Sequence, residues 1–316
     1  MGMLETAAHS ALKQCLNIKK NDKVLIVSDV PKAEMALVFF KAAQRLSDRC
    51  SIFIIPLVSW GYEPCKPMAH LMEQFDAIVL VTSHSLSHTN ARRAASRKGA
   101  RIASLPGVTM ETLIRTMDGD YQAVADVSRK IADIFTIGHS GRLTTPAGTD
   151  LSFSLLRMKG HADTGLIHEK GQFSNIPAGE GCAAPFHGST QGVLVVDGSF
   201  PAVGKIDEPI RMTVKDGYVT RIAGDKSAEK VRELLQPFGK AGKNIAEIGI
   251  GTNPKAKLTG VTLEDEKVLG TAHVALGNNM SFDGKIAVHC HFDGVLLQPT
   301  LVIDGKTIVE KGVLQV

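Results

Sequence analysis

From Lys23 onward, short apolar runs alternate with segments of helical period. KVLIVSD (Lys23 to Asp29), SIFIIPLV (Ser51 to Val58) and AIVLVTS (Ala77 to Ser83) are β-branched and bounded by polar residues, which predicts buried strands. Helical period is carried by Ala7 to Leu16, Ala33 to Ser47 and a stretch near Asn90 to Lys98. RIASLP (Arg101 to Pro106) adds a short strand, and helical runs then continue to about Phe135. Apolar strands separated by helices predict a parallel sheet covered on both faces. No GxGxxG or GxxxxGK[ST] follows any of these strands, so the usual nucleotide fingerprints are absent.

Near Gly138 the pattern changes. Helical period thins out, apart from Ala228 to Leu235, and Asp-Gly pairs become frequent: Asp197-Gly198, Asp216-Gly217, Asp283-Gly284, Asp293-Gly294 and Asp304-Gly305. Asp-Gly fits turns that require positive φ, so each pair can close a hairpin; LVIDGKTIVEKG (Leu301 to Gly312) is the clearest. The expectation is an α/β N-terminal domain with a parallel sheet over residues 1–138. A mainly antiparallel β (α+β) C-terminal domain over residues 139–316 would carry the metal site described below.

Composition changes this picture little. Of 316 residues, 44% are hydrophobic and 22% charged, enough to bury a sizeable core. The net charge of +4 is spread along the chain, which argues against a nucleic-acid or membrane partner. RRAASRK (Arg92 to Lys98) is the most basic stretch and reads as the wet face of a helix. The five cysteines form no CxxC pair, the N-terminus reads as an amphipathic helix rather than a signal peptide, and no apolar run approaches the ~20 residues of a membrane span. A reducing cytoplasm is the expected location. Cys182 and Cys290 lie beside the candidate ligands and read as small buried hydrophobes.

The candidate chemistry lies in four glycine-marked motifs: Glu180 in NIPAGEG, Glu247 in AEIGIGTN, His273 in GTAHVALG, and His291 with Asp293 in HCHFDG. If Ile286 to Asp293 is one strand, His289, His291 and Asp293 share a face, with about 6.5 to 7 Å between neighbours. An unpaired carboxylate such as Glu247 in an apolar run is costly unless it binds metal or forms a pair. Imidazoles and carboxylates together suit hard or borderline divalent cations. Ser83, His84, Ser85 and His88 form a second cluster, but without a GxSxG elbow it reads as a helix N-cap, or as a substrate-facing edge.

In order and context, the four motifs resemble the thermophilic metalloaminopeptidase family of the aminopeptidase T and aminopeptidase S type. That family places metal ligands in an N-x-P-x-G-E loop, on a strand glutamate, in G-x-x-H-x-A-x-G and in a final H-x-D. AGTDLSFSL (Ala147 to Leu155) is similar to its Gly-Thr-Asp-Leu strand, and the resemblance runs from about Gly148 to the C-terminus. It implies metal ligands at Glu180, Glu247, His273, His291 and Asp293, and two divalent ions (Zn, Co or Mn). It also implies a cytoplasmic homodimer that releases N-terminal residues from small peptides. Glu180 would bridge the ions and Glu180 or Glu247 would serve in catalysis, with the metals activating a shared water. His289 would orient a ligand. Two departures stand out: Met280 takes the place of a tyrosine ligand, and the N-terminal half is short for these peptidases.

The chain is also similar, more distantly, to ring-cleaving iron enzymes of the 2,5-dihydroxypyridine 5,6-dioxygenase type, which act on small molecules. Those keep the H-x-D but carry histidine where this chain has Glu247, and they lack the G-E loop. A single Fe(II) on His273, His291 and Asp293 is the alternative this resemblance implies. A non-catalytic metal-binding relative is the third.

Overall fold

The computed structural model describes residues 2–57, 62–87 and 89–316; Val58 and His88, named above, lie outside them. Contacts divide the chain into two units, residues 1–123 with 164–178, and residues 124–163 with 179–316. The division falls within the first turn of the helix Tyr121–Ile137, upstream of residue 138, because Ile131 and Phe135 on that helix pack into the core of the second unit. Among the described residues no helix is long and apolar enough to cross a membrane.

In the first unit a five-stranded parallel sheet runs in the order Arg49–Ile55, Lys23–Asp29, Ala77–Val81, Arg101–Ser104, Phe173–Asn175. Alternate residues supply its two faces. Val24, Ile26, Val79 and Val81 pack with Phe39 and Leu12 on one side. Leu25, Val27, Ile78 and Leu80 pack with Met68, Met72 and Ala95 on the other. This double burial is why the strands are apolar throughout. The fifth strand comes from residues 164–178, which rejoin this unit from beyond residue 123.

The second unit holds an eight-stranded sheet and a five-stranded sheet, both antiparallel, and a short ribbon of Ser199–Phe200 with Gly204–Lys205. One core joins the sheets: Leu143, Leu151, Leu194 and Met212 from the larger, Ile248, Val274 and Leu296 from the smaller. Two Asp-Gly pairs close hairpins, Asp216-Gly217 and Asp304-Gly305, with positive φ at all four residues. The other three do not. Asp293-Gly294 lies inside the strand His291–Leu296, where a Cβ on Gly294 would meet Val196 at 2.8 Å. Asp197 accepts a hydrogen bond from the Leu297 amide, and Asp283 follows the single turn Met280–Phe282.

Candidate metal centre

The five-stranded sheet runs in the order His291–Leu296, Ala272–Gly277, Ile245–Gly251, Glu180–Ala183, His161–Asp163. Its alternation builds the site. Ile248, Ile250, Ala272, Val274, Leu276, Phe292 and Leu296 face the core. The opposite face carries Glu247, His273, His291, Asp293 and Glu180, brought side by side by register: Glu247 opposite Ala275, Ala275 opposite Asp293, and Gly251 opposite Glu180. The residues between them are small. Gly249 pairs with His273, and a Cβ built there would meet the His273 ring. A bulge between Ile245 and Glu247 sets the last turn of the register. Gly179, at φ 127°, aims Glu180 from the NIPAGEG loop; a Cβ there would meet Asn253 at 2.7 Å.

Donor atoms converge on Glu247. Its Oε1 lies 3.4 Å from His273 Nε2 and its Oε2 lies 3.0 Å from His291 Nε2. Asp293 Oδ1 is 3.5 Å from His291 Nε2, and Glu180 Oε2 is 3.2 Å from His273 Nε2. Two groups result, Glu180/Glu247/His273 and Glu247/His291/Asp293, each with ligand atoms close enough to share one ion. Glu247, not Glu180, is the carboxylate common to both. His291 Nδ1 donates to the Asn278 carbonyl at 2.7 Å, which fixes the tautomer and leaves Nε2 for the site.

These residues fit a divalent cation. Glu180 Oε2 and His273 Nε2 are buried and face each other at 3.2 Å, yet neither makes a hydrogen bond of good geometry among the described residues. A coordinated ion would satisfy both; leaving such a group unmatched costs about 1–3 kcal/mol. Without an ion, charge does the work. Burial alone would lower His273, but Glu180 and Glu247 hold it well above the ordinary imidazole range; Asp293 and Glu247 do the same for His291. Burial raises Glu247, yet the two imidazoles outweigh it and hold that carboxyl well below its usual range. Cys182 shares the face, where burial and Glu247 push its thiol well up, and it belongs to neither ligand group.

The structure also adds residues that sequence patterning missed. Lys267 is fully buried, and its Nζ lies 2.6 Å from Glu180 Oε1, 2.8 Å from Glu266 Oε1 and 3.3 Å from Asp163 Oδ2. TLEDEK looks like a solvated charge run; the only hint was its place six residues before His273. Phe282 sets its ring 5.6 Å from those of His161 and His291.

Two expectations need correction. The strand that carries His291 and Asp293 begins at His291, not Ile286, so exposed His289 lies outside it. Met280, which replaces the tyrosine ligand, is 55% exposed. Thr89 caps the helix Asn90–Arg97, its hydroxyl accepting from the Arg92 amide, while the Ser83 amide and hydroxyl donate to buried Asp29.

Solved structures share this fold. The 2,5-dihydroxypyridine dioxygenase from Pseudomonas putida KT2440 aligns with a TM-score of 0.85 at 20% identity, covering 98% of this chain and 96% of that one. Wild-type AmpT, aminopeptidase T, from Thermus thermophilus aligns with a TM-score of 0.73 at 17% identity, covering 99% of both. The likeness therefore includes the N-terminal half, where the sequence alone carried little of it. No curated protein matches the chain. The family NicX, 2,5-dihydroxypyridine 5,6-dioxygenase, matches residues 3–316, and the chain belongs to that enzyme family.

Proposed function

We propose that the chain is a metal-dependent dioxygenase that opens a hydroxylated pyridine-type ring, with Fe(II) held by Glu247, His273, His291 and Asp293. The observation that carries this is the convergence of two imidazoles with carboxylates: His291 Nε2 lies 3.5 Å from Asp293 and 3.0 Å from Glu247, and His273 Nε2 lies 3.4 Å from Glu247. Two histidines and a carboxylate are the donor set of non-haem iron oxygenases. Membership of the dioxygenase family over residues 3–316 supports the same reaction class. Bound iron would supply the one-electron chemistry that dioxygen requires.

The chain's own residues do the rest. The Asn278 carbonyl keeps His291 Nε2 turned into the site. Gly249 leaves room for the His273 ring. Phe282, beside His291, offers a stacking surface to a flat aromatic substrate.

A second reading is a two-metal aminopeptidase. It is favoured by the two ligand groups that share Glu247, since a shared carboxylate is what bridges a pair of ions. Oxygen separates the two. Iron-loaded protein is mixed with 2,5-dihydroxypyridine in air and under argon, beside an aminoacyl-anilide panel with Co, Mn or Zn. The dioxygenase reading predicts ring loss in air only and no anilide hydrolysis. Hydrolysis under argon with an untouched ring contradicts it.

A further inference from the structure

We propose that His161 is a substrate-binding residue of this centre: it receives the ring substituent that lies farthest from the metal ligands, and so selects rings hydroxylated at opposite ends. This rests on the dioxygenase reading above and deepens it, because it names a second recognition point and the substitution pattern that point favours.

The sheet places His161 on the face that carries the ligands. His161 pairs with Cys182, Cys182 with Gly249, and Gly249 with His273, and residues directly opposite one another in antiparallel strands share a face. The four form one row across the sheet. Neighbouring strands lie about 4.8 Å apart, which puts the backbone of His161 about 14 Å from that of His273. Only a cysteine and a glycine stand between them in the row. His161 belongs to neither ligand group.

Phe282 spans the distance from one imidazole to another. Its ring centroid is 5.6 Å from that of His291, at an interplanar angle of 32°, and 5.6 Å from that of His161, at 79°. The phenylalanine ends the single turn Met280–Phe282, just after Asn278, whose carbonyl accepts from His291 Nδ1. A flat ring laid against Phe282 thus has a metal-liganding imidazole at one end and an imidazole outside the ligand set at the other.

His161 has hydrogen-bonding capacity to spare. Its Nε2 makes no hydrogen bond of good geometry among the described residues, although Asp283 Oδ2 approaches to 3.4 Å. The Asp283 side chain is 64% exposed and can turn to water when a ring oxygen takes its place. An imidazole nitrogen donates to such an oxygen or accepts from its hydroxyl, according to the tautomer. Two hydroxyls at opposite ends of a ring fit this pair of imidazoles; a single hydroxyl serves only one of them.

The test is equilibrium binding of 2,5-dihydroxypyridine, 2-hydroxypyridine and 3-hydroxypyridine to iron-loaded protein under argon, in wild type, His161→Phe and His161→Gln. The inference expects wild type to bind the doubly hydroxylated ring tightest. His161→Phe, which keeps a ring without nitrogens, should keep its iron, bind 2,5-dihydroxypyridine about 10- to 100-fold more weakly, as when a strong hydrogen bond is lost, and lose the preference for two hydroxyls. His161→Gln, which keeps an N–H, should recover part of that. Equal binding of 2,5-dihydroxypyridine by wild type and His161→Phe overturns the inference. So does loss of iron, or a loss shared equally by all three rings, which a merely structural histidine would give. Should His161→Phe not fold, His161→Ala takes its place. Equal binding beside oxygen-dependent ring loss would sink this inference and leave the dioxygenase reading standing. A selective loss in His161→Phe, with no ring loss in air by wild type, would do the reverse, and no binding of 2,5-dihydroxypyridine by wild type overturns both.

Discussion

His273 lies directly over Gly249: a Cβ built on Gly249 would stand 2.1 Å from His273 Nε2 and 2.4 Å from its Cε1. The glycine is therefore part of the site, since it makes room for the ring that must face Glu247. Gly249→Ala forces that ring away. Metal affinity should fall by about 10- to 100-fold, as when an orienting partner of a ligand is lost, with the fold retained. Calorimetric metal titration and circular dichroism check this together; unchanged affinity contradicts it.

Charge pairing sets a pH dependence. His273 and His291 are held well above their ordinary range and Glu247 well below its own. In the metal-free protein the pairing stabilises in full between the unfolded values, about 4.3 for Glu and about 6.5 for His. It is lost as pH rises through the raised imidazole values, and as pH falls through the depressed Glu247 value. A metal ion needs imidazole nitrogens without protons, so its binding releases protons and tightens with pH. Titration between about pH 6 and 8 in buffers of different ionisation enthalpy measures this. Affinity that does not change with pH contradicts it.

Lys267 offsets two buried carboxylates, Glu180 and Glu266, and half-buried Asp163. Burial alone would lower its ammonium, but Glu180, Glu266 and Asp163 hold it well above the usual lysine range. Lys267→Met should cost the metal-free protein about 3–5 kcal/mol, the usual cost of breaking a buried charge pair. Lys267→Arg, which keeps the charge, should lose less. Denaturant melts of the three proteins give the answer; a Lys267→Met as stable as wild type contradicts it.

The five candidate residues, which the structure brings together, stood out because glycine and alternating apolar residues frame each one, and that frame is the alternation of a sheet with one polar face. Their order in space was not. Register makes Glu247 the shared carboxylate, and register depends on a bulge that leaves no clear mark in the sequence. Lys267 and Glu266 were invisible for a related reason: charged residues in sequence read as solvated, and only the structure shows them buried as an ion pair. In the first unit, apolar runs predicted four of the five parallel strands. Phe173–Asn175, three residues long and remote in sequence, carries no pattern of its own. Asp293-Gly294 misleads because Gly294 serves close packing on Val196 rather than a turn.

Everything above depends on the cluster around Glu247 binding a metal ion. The most direct test is titration of Fe(II) or Co(II) into metal-free wild type and Glu247→Gln, which keeps shape and removes charge. The account predicts saturable binding by wild type and a loss of at least about 100-fold in the variant, beyond what an orienting residue alone costs. Equal affinity in the two proteins, or no binding by wild type, would contradict it.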